Sequence, residues 1–172
     1  MLRKLLGLTV LAACAGAVQA GMGAEMGGRV RGGDAEPTWA LHLTVRPWQY
    51  IDVGFAFGRE YLGDIYYDYG GKADSMWLTA RANWPRGVFT PYFGARFGLS
   101  NVSYTYFQKE GDYTHSSSRK SFGGGPGVEV AFAAAFAVYA EGGYHVYFAR
   151  DEMDKTAGYG TFAVGFTAWM VR

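Results

Sequence analysis

The chain has 172 residues, and its 26 glycines, 13 tyrosines and 12 phenylalanines make it aromatic and glycine-heavy, with few helix-forming runs. With 16 basic and 15 acidic side chains the formal net charge is +1, which argues against nucleic acid as a partner. No internal run reaches the roughly 18 to 20 apolar residues of a membrane helix, so a helical membrane protein is excluded. No proline-rich linker, block of like charge or low-complexity tract divides the chain, which reads as one all-β unit.

The first element is an export segment over residues 1–20. Arg3 and Lys4 precede an apolar stretch from Leu5 to about Ala17, and the small residues Val18 and Ala20 favour cleavage before Gly21. A second processing route stays open, because Leu11-Ala12-Ala13-Cys14 resembles the box that precedes a lipidated cysteine. Cys14 is the only cysteine. Cleavage after Ala20 therefore leaves neither a disulfide nor a cysteine-ligated metal, and the sequence suggests no cofactor.

Residues 21–172 form the domain, in eight alternating segments. Taking every second residue gives an uncharged set that runs Ala24 to Val30, Trp39 to Val45, Ile51 to Phe57 and Met76 to Trp84. It continues Phe89 to Leu99, Phe122 to Phe132, Phe136 to Phe148 and Phe162 to Met170. The opposite set carries Glu25, Arg29, Arg31, His42, Arg46, Asp52, Arg81, Arg96, Glu129, Glu141 and His145 among Gly, Ser, Thr and Tyr.

Alternation alone would also suit a soluble sandwich with an apolar core. Three features point elsewhere. The charged set is crowded with glycine, including Gly94, Gly98, Gly123, Gly125, Gly127, Gly143 and Gly165. A narrow interior filled by Tyr92, Arg96, Tyr139 and Trp77 needs such gaps, whereas a water-facing strand does not. Connections alternate between tight turns (Pro47-Trp48-Gln49, Pro85-Arg86-Gly87, Ala133-Ala134-Ala135) and long polar stretches at about 31–38, 61–74, 101–120 and 149–158. That is the pattern of periplasmic turns and external loops. The export segment supplies the route.

Segments of about nine to eleven residues, tilted about 45°, cross an apolar layer of about 25 Å. An open sheet edge in hydrocarbon would strand unpaired N–H and C=O groups, so the first and last strands must pair. The expected fold is a closed, antiparallel, eight-stranded up-and-down transmembrane barrel. Phe93, Ala95, Phe97, Val164 and Phe166 are expected to face lipid. Trp48, Trp84 and Trp169 would form one interfacial girdle; Trp39, Tyr61, Tyr66, Tyr67, Tyr69, Tyr104, Tyr106 and Phe148 would form the other.

These stretches, above all "TPYFGARFGLS", "SFGGGPGVEV", "AVYAEGGYHVYF" and "GYGTFAVGFTAWM", resemble the small outer-membrane barrels of the outer-membrane protein A transmembrane domain and outer-membrane protein X type. The resemblance covers the whole domain through parity, glycine and aromatics, without a specific motif. It implies a bacterial outer-membrane location, a lumen closed by ion pairs, and no single shared activity. It also implies barrel-assembly machinery as a partner, alongside outer-membrane lipid and lipopolysaccharide. Such barrels usually end in a lipid-facing aromatic, and this chain departs from that with Arg172.

Inside, charges must be paired or they become costly. The expected network comprises Arg81, Arg96, Glu129, Glu141, Glu25, Arg29, Asp52 and His145, with Glu129 and Glu141 sharing the charge of Arg96 and Arg81. The role expected is structural or surface-interacting, with any extracellular ligand held by the loops. A narrow porin-like channel is one alternative; a lipid A-modifying enzyme is another, in which Glu141 would orient His145 as a base. His145 has Gly143 and Tyr147 at the same-face positions, not the nearby serine of the lipid A deacylases, so no catalytic residue is assigned. The "GGGPG" at 123–127 lacks the Lys-Ser/Thr of a phosphate loop and lies on a strand.

Overall fold

A computed structural model describes residues 18–31, 34–62, 70–108, 111–148 and 157–170. Eight strands, β1 (Gln19–Arg31), β2 (Asp34–Trp48), β3 (Ile51–Leu62), β4 (Gly70–Asn83), β5 (Phe89–Gln108), β6 (Gly111–Ala133), β7 (Phe136–Tyr147) and β8 (Ala157–Met170), each pair antiparallel with the next in sequence. The sheet closes through β1 and β8, in register from Ala20↔Met170 to Val30↔Gly160. Of the expected export segment, residues 1–17 lie outside the described residues; Gln19 and Ala20 begin β1 opposite Arg46 and Val45.

Strict period-two alternation in a closed sheet leaves only two faces, and the apolar one points out. Met26 is 71% exposed, Leu78 65% and Val164 60%. Phe93, Phe97 and Phe166 are likewise exposed, and Ala95 between them is half-exposed. A belt of large apolar side chains around every strand far exceeds the few hundred Å² of contiguous apolar patch on a typical soluble monomer. The medium that matches it is hydrocarbon. Closure then satisfies every wall strand's backbone laterally, as lipid requires.

Glycine makes the narrow interior buildable. A Cβ on Gly165 would lie 2.6 Å from Tyr139 Cζ, and the Tyr92 ring occupies the space a Cβ on Gly127 would need. Rings lie flat against the inner wall only where the neighbouring strand has no side chain. The same device works outside, where a Cβ on Gly28 would lie 2.6 Å from the Phe162 ring.

One end of the barrel carries the tight turns at Gln49–Tyr50, Trp84–Val88 and Ala134–Ala135. In the second of these Gly87 takes φ +68°, a backbone state that favours glycine. At the other end the expected loops at 31–38 and 101–120 prove, among the described residues, to be strand, as do 61–62 and 70–74 of the second, whereas 63–69 and 149–156 of the second and fourth lie outside the described residues. Pairing continues to Arg31↔Asp34, Leu62↔Gly71, Gln108↔Gly111 and Tyr147↔Ala157. The ladder outlasts the alternation because both faces meet water once the strands leave the lipid. Polarity there says nothing about pairing, and Thr, Ser and Tyr suit a strand well.

The girdle needs one correction. Trp48 and Trp84 are exposed at the turn end, with Trp48 4.9 Å from Tyr50, and Trp39 packs edge-on to Phe57 at 6.1 Å near the other border. Trp169, however, is only 7% exposed. Ala168 and Met170 share the outward parity of Phe166, so the residue between them must point inward. Tyr66, Tyr67, Tyr69 and Arg172 lie outside the described residues.

Candidate functional site

The lumen is built in levels, each from inward residues of several strands. Nearest the turn end, Arg46 grips Asp52 with two hydrogen bonds, Nε to Oδ1 at 2.6 Å and Nη2 to Oδ2 at 2.9 Å. Arg46 Nη2 also reaches Glu129 at 3.1 Å, and Arg81 Nη1 stands 3.9 Å from the same carboxylate. The two guanidinium groups are roofed by rings. Arg46 lies over Trp169 at 4.4 Å, and Arg81 lies over Tyr92 at 4.6 Å and over Tyr139 at 4.4 Å. Planar cations stacked on aromatic faces are stabilised where water is scarce.

At mid-height one arginine serves two carboxylates. Arg96 donates to Glu25 Oε1 at 2.6 Å and to Glu141 Oε1 at 3.0 Å, and Tyr139 donates to Glu25 Oε2 at 2.7 Å. Arg96 on β5 and Glu25 on β1 meet across the barrel, not along a shared strand pair. Two cavities of about 20 and 30 Å³ flank this cluster, and Glu25, Arg96 and Glu141 line both. Each has room for only one or two waters. Arg96 and its carboxylates are therefore the partition between them.

Above the partition the donors change. Glu60 accepts from Tyr147 at 2.7 Å and from Tyr159, and His145 Nδ1 stands 3.3 Å from its other oxygen. Ser75 donates to Ser100 at 2.7 Å, Ser100 to Ser121 at 3.2 Å, and Trp77 Nε1 to Ser121 at 3.2 Å. Arg29 pairs with Glu36 nearer the strand ends and lies 4.7 Å over Tyr159.

The structure thus places all eight expected network residues on the lumen side but redistributes their partners. Arg96 takes Glu141 together with Glu25, while Glu129 is nearer Arg46 than Arg81. Arg46 has the inward parity but no partner assigned from sequence, and Glu60 is a lumen residue missing from the expected set. Both carried a usable signal, since Arg46 follows His42 and Thr44, and Glu60 follows Asp52 and Ala56, in steps of two.

His145 is also reassigned, because Glu60 and not Glu141 faces its ring. A nucleophilic site needs a hydroxyl within about 2.6 to 3.2 Å of the base. Here the serine hydroxyls bond to one another and to Trp77, and Ser75, Ser100 and Ser121 are fully buried. The Nε2 of His145 is buried without a hydrogen-bond partner. Among the described residues no group of His, Cys, Asp and Glu is arranged to hold a metal ion.

No protein-family model matches the chain, and no curated protein matches it in sequence. Solved structures do match. Neisserial surface protein A aligns at TM-score 0.68 and 16% identity, over 88% of this chain and 96% of that one. The chain has the fold of the small eight-stranded outer-membrane β-barrels. Ail of Yersinia pestis, solved with the heparin analogue sucrose octasulfate, aligns with this barrel at TM-score 0.55 and 15% identity, over 89% of this chain and 97% of Ail. The outer-membrane enzyme PagL aligns with it at 0.53 and 14%, over 86% of this chain and 98% of PagL.

Proposed function

We propose that the protein is a small outer-membrane barrel with a structural and surface-interaction role, in which the wall is scaffold and the exposed strand ends carry the interactions. The observation behind this reading is the partitioned lumen: Arg96, Glu25 and Glu141 stand between two water-sized cavities. An export segment at residues 1–20 would deliver the chain, and barrel-assembly machinery would insert it. Ail holds a sulfated heparin analogue in its solved complex, and an extracellular ligand at the strand ends is the corresponding reading here. We infer a scaffold role for the His145–Glu60 pair, because Tyr147 and Tyr159 donate to the same carboxylate and tie it to the wall.

Detergent-refolded protein should migrate differently on a gel with and without boiling, as closed barrels do. It should give no discrete conductance in planar bilayers, and cells overproducing it should keep lipid A of unchanged mass. One feature favours a second reading, a narrow gated channel: cavities lie on both sides of the partition. Discrete openings in the bilayer would promote that reading, and a lipid A mass change would establish the enzyme.

A further inference from the structure

The outer face of the wall is not uniform where it leaves the lipid. Along β3 to β6 the first polar residues above the apolar belt are Arg59, Asp74, Asn101 and Lys120, following Phe57, Met76, Leu99 and Phe122 at two-residue steps on the same outward parity. The register joins three of them in one row, Arg59↔Asp74 and Asp74↔Asn101. Lys72 stands one step higher, beside Ser103, and Ser103 donates to Ser116 at 3.2 Å. Lys72, Lys120, Asn101 and Ser116 are exposed.

The other half of the circumference differs. At the corresponding height β7, β8, β1 and β2 present Tyr144, Phe148, Gly160, Phe162, Gly28, Val30 and Trp39, with no charge among the described outward residues. Nothing in strand pairing requires this asymmetry, because outward residues at the border make no lumen contact. Arg59 is balanced by Asp74, which it holds with hydrogen bonds of 2.6 and 3.1 Å. Lys72 and Lys120 therefore leave the described face cationic, beside a bank of amide and hydroxyl groups.

We propose that this face, Lys72 and Lys120 with Asn101, Ser103 and Ser116, is a lateral binding site for the phosphate groups of lipid A. The proposal rests on the outer-membrane reading above, with the tight turns in the periplasm, since that orientation sets the face at the outer-leaflet headgroups. The apolar belt directly below, Phe57, Met76, Leu99 and Phe122, would take the acyl chains. The charge above takes the phosphates, and hydroxyl and amide groups suit the sugar between them. Cations at a membrane surface attract anionic lipid by charge, and hydrogen-bonding neighbours add selectivity for a phosphomonoester.

The test uses the whole refolded protein in phosphatidylcholine nanodiscs containing either bis-phosphorylated lipid A or its dephosphorylated form, with retained lipid counted by native mass spectrometry. Wild-type protein should retain the phosphorylated form at least about tenfold more than the dephosphorylated one. Lys72→Gln with Lys120→Gln should abolish that preference, Lys72→Arg with Lys120→Arg should keep it, and Arg86→Gln at the turn end should leave it unchanged. Excess inorganic phosphate should not displace the lipid; displacement would reassign the face to free anions. Equal retention of the two lipids by wild-type protein overturns the proposal without need of any variant. The boiled and unboiled gel, run in parallel, reports the barrel itself, so failure of the outer-membrane reading is distinguished from failure of the phosphate site.

Discussion

The middle and upper levels of the lumen face the same difficulty, a carboxylate held away from bulk water, and meet it in opposite ways. Glu25 and Glu141 share one guanidinium, so charge is matched against charge. Glu60 is held by the hydroxyls of Tyr147 and Tyr159 and the ring of His145. The first arrangement concentrates stability in one residue. The second spreads it over several donors, two of them tyrosine hydroxyls, none of which is decisive. The difference decides which substitutions the barrel tolerates.

The sharpest way to break the comparison is Arg96→Ala, which orphans two carboxylates at once. Breaking a buried ion pair costs roughly 3 to 5 kcal/mol, with water entry from the flanking cavities offsetting some of it. The urea midpoint in lipid vesicles should fall accordingly, and no substitution in the upper level should match it. Next in size is a control on the other face of the same wall. Ala95→Arg sets a charge in mid-belt at a cost of about 2 to 4 kcal/mol, whereas Gly94→Ser meets only the movable end of Glu141, 3.1 Å from the added Cβ. Refolding yields in bilayers should separate the two adjacent positions, and equal yields would reverse the assignment of faces.

A double-mutant cycle sharpens the middle level. Adding Glu141→Ala to Arg96→Ala should recover part of the loss, a coupling on the order of 0.5 to 3 kcal/mol. Recovery stays incomplete because Glu25 remains without its cation. Simple additivity of the two losses would show that Arg96 and Glu141 do not act as a unit. The smallest expected effect belongs to the upper level, where Tyr147→Phe removes one of three donors to Glu60. Its cost should be about 0.5 to 1.5 kcal/mol, the worth of a single hydrogen bond. A loss as large as that of Arg96→Ala would mean the two levels are not different in kind.

Much of the wall was legible in the sequence, because closure and a lipid environment leave period-two alternation almost nothing else to mean. The faces of Phe93, Ala95, Phe97, Val164 and Phe166 follow from counting. What counting cannot supply is distance across the lumen. Arg96 and Glu25 are 71 positions apart on strands that never pair, so their contact depends on barrel diameter and stagger. Parity set Glu129 and Glu141 on one face with Arg81 and Arg96, but it could not say that Arg46 and Glu25 complete these pairs. Trp169 shows the opposite failure. Its place near a strand end suggested the girdle, yet its own parity already turned it inward. The overestimated loops have a third cause, since alternation reports burial and falls silent when both faces are wet.

The β5–β6 hairpin has the longest described strands, of 20 and 23 residues. Among the described residues Thr105 is the last β5 residue paired to β4, opposite Gly70, and the ladder from Tyr106↔Tyr113 to Gln108↔Gly111 joins β5 to β6. The tip therefore borrows its anchorage from the barrel without contributing to the barrel's closure. Substitutions there leave the wall's hydrogen-bond cycle and the buried charges untouched, so the two parts of the gene can drift at separate rates. The tip can be rewritten while the membrane-spanning wall stays the same.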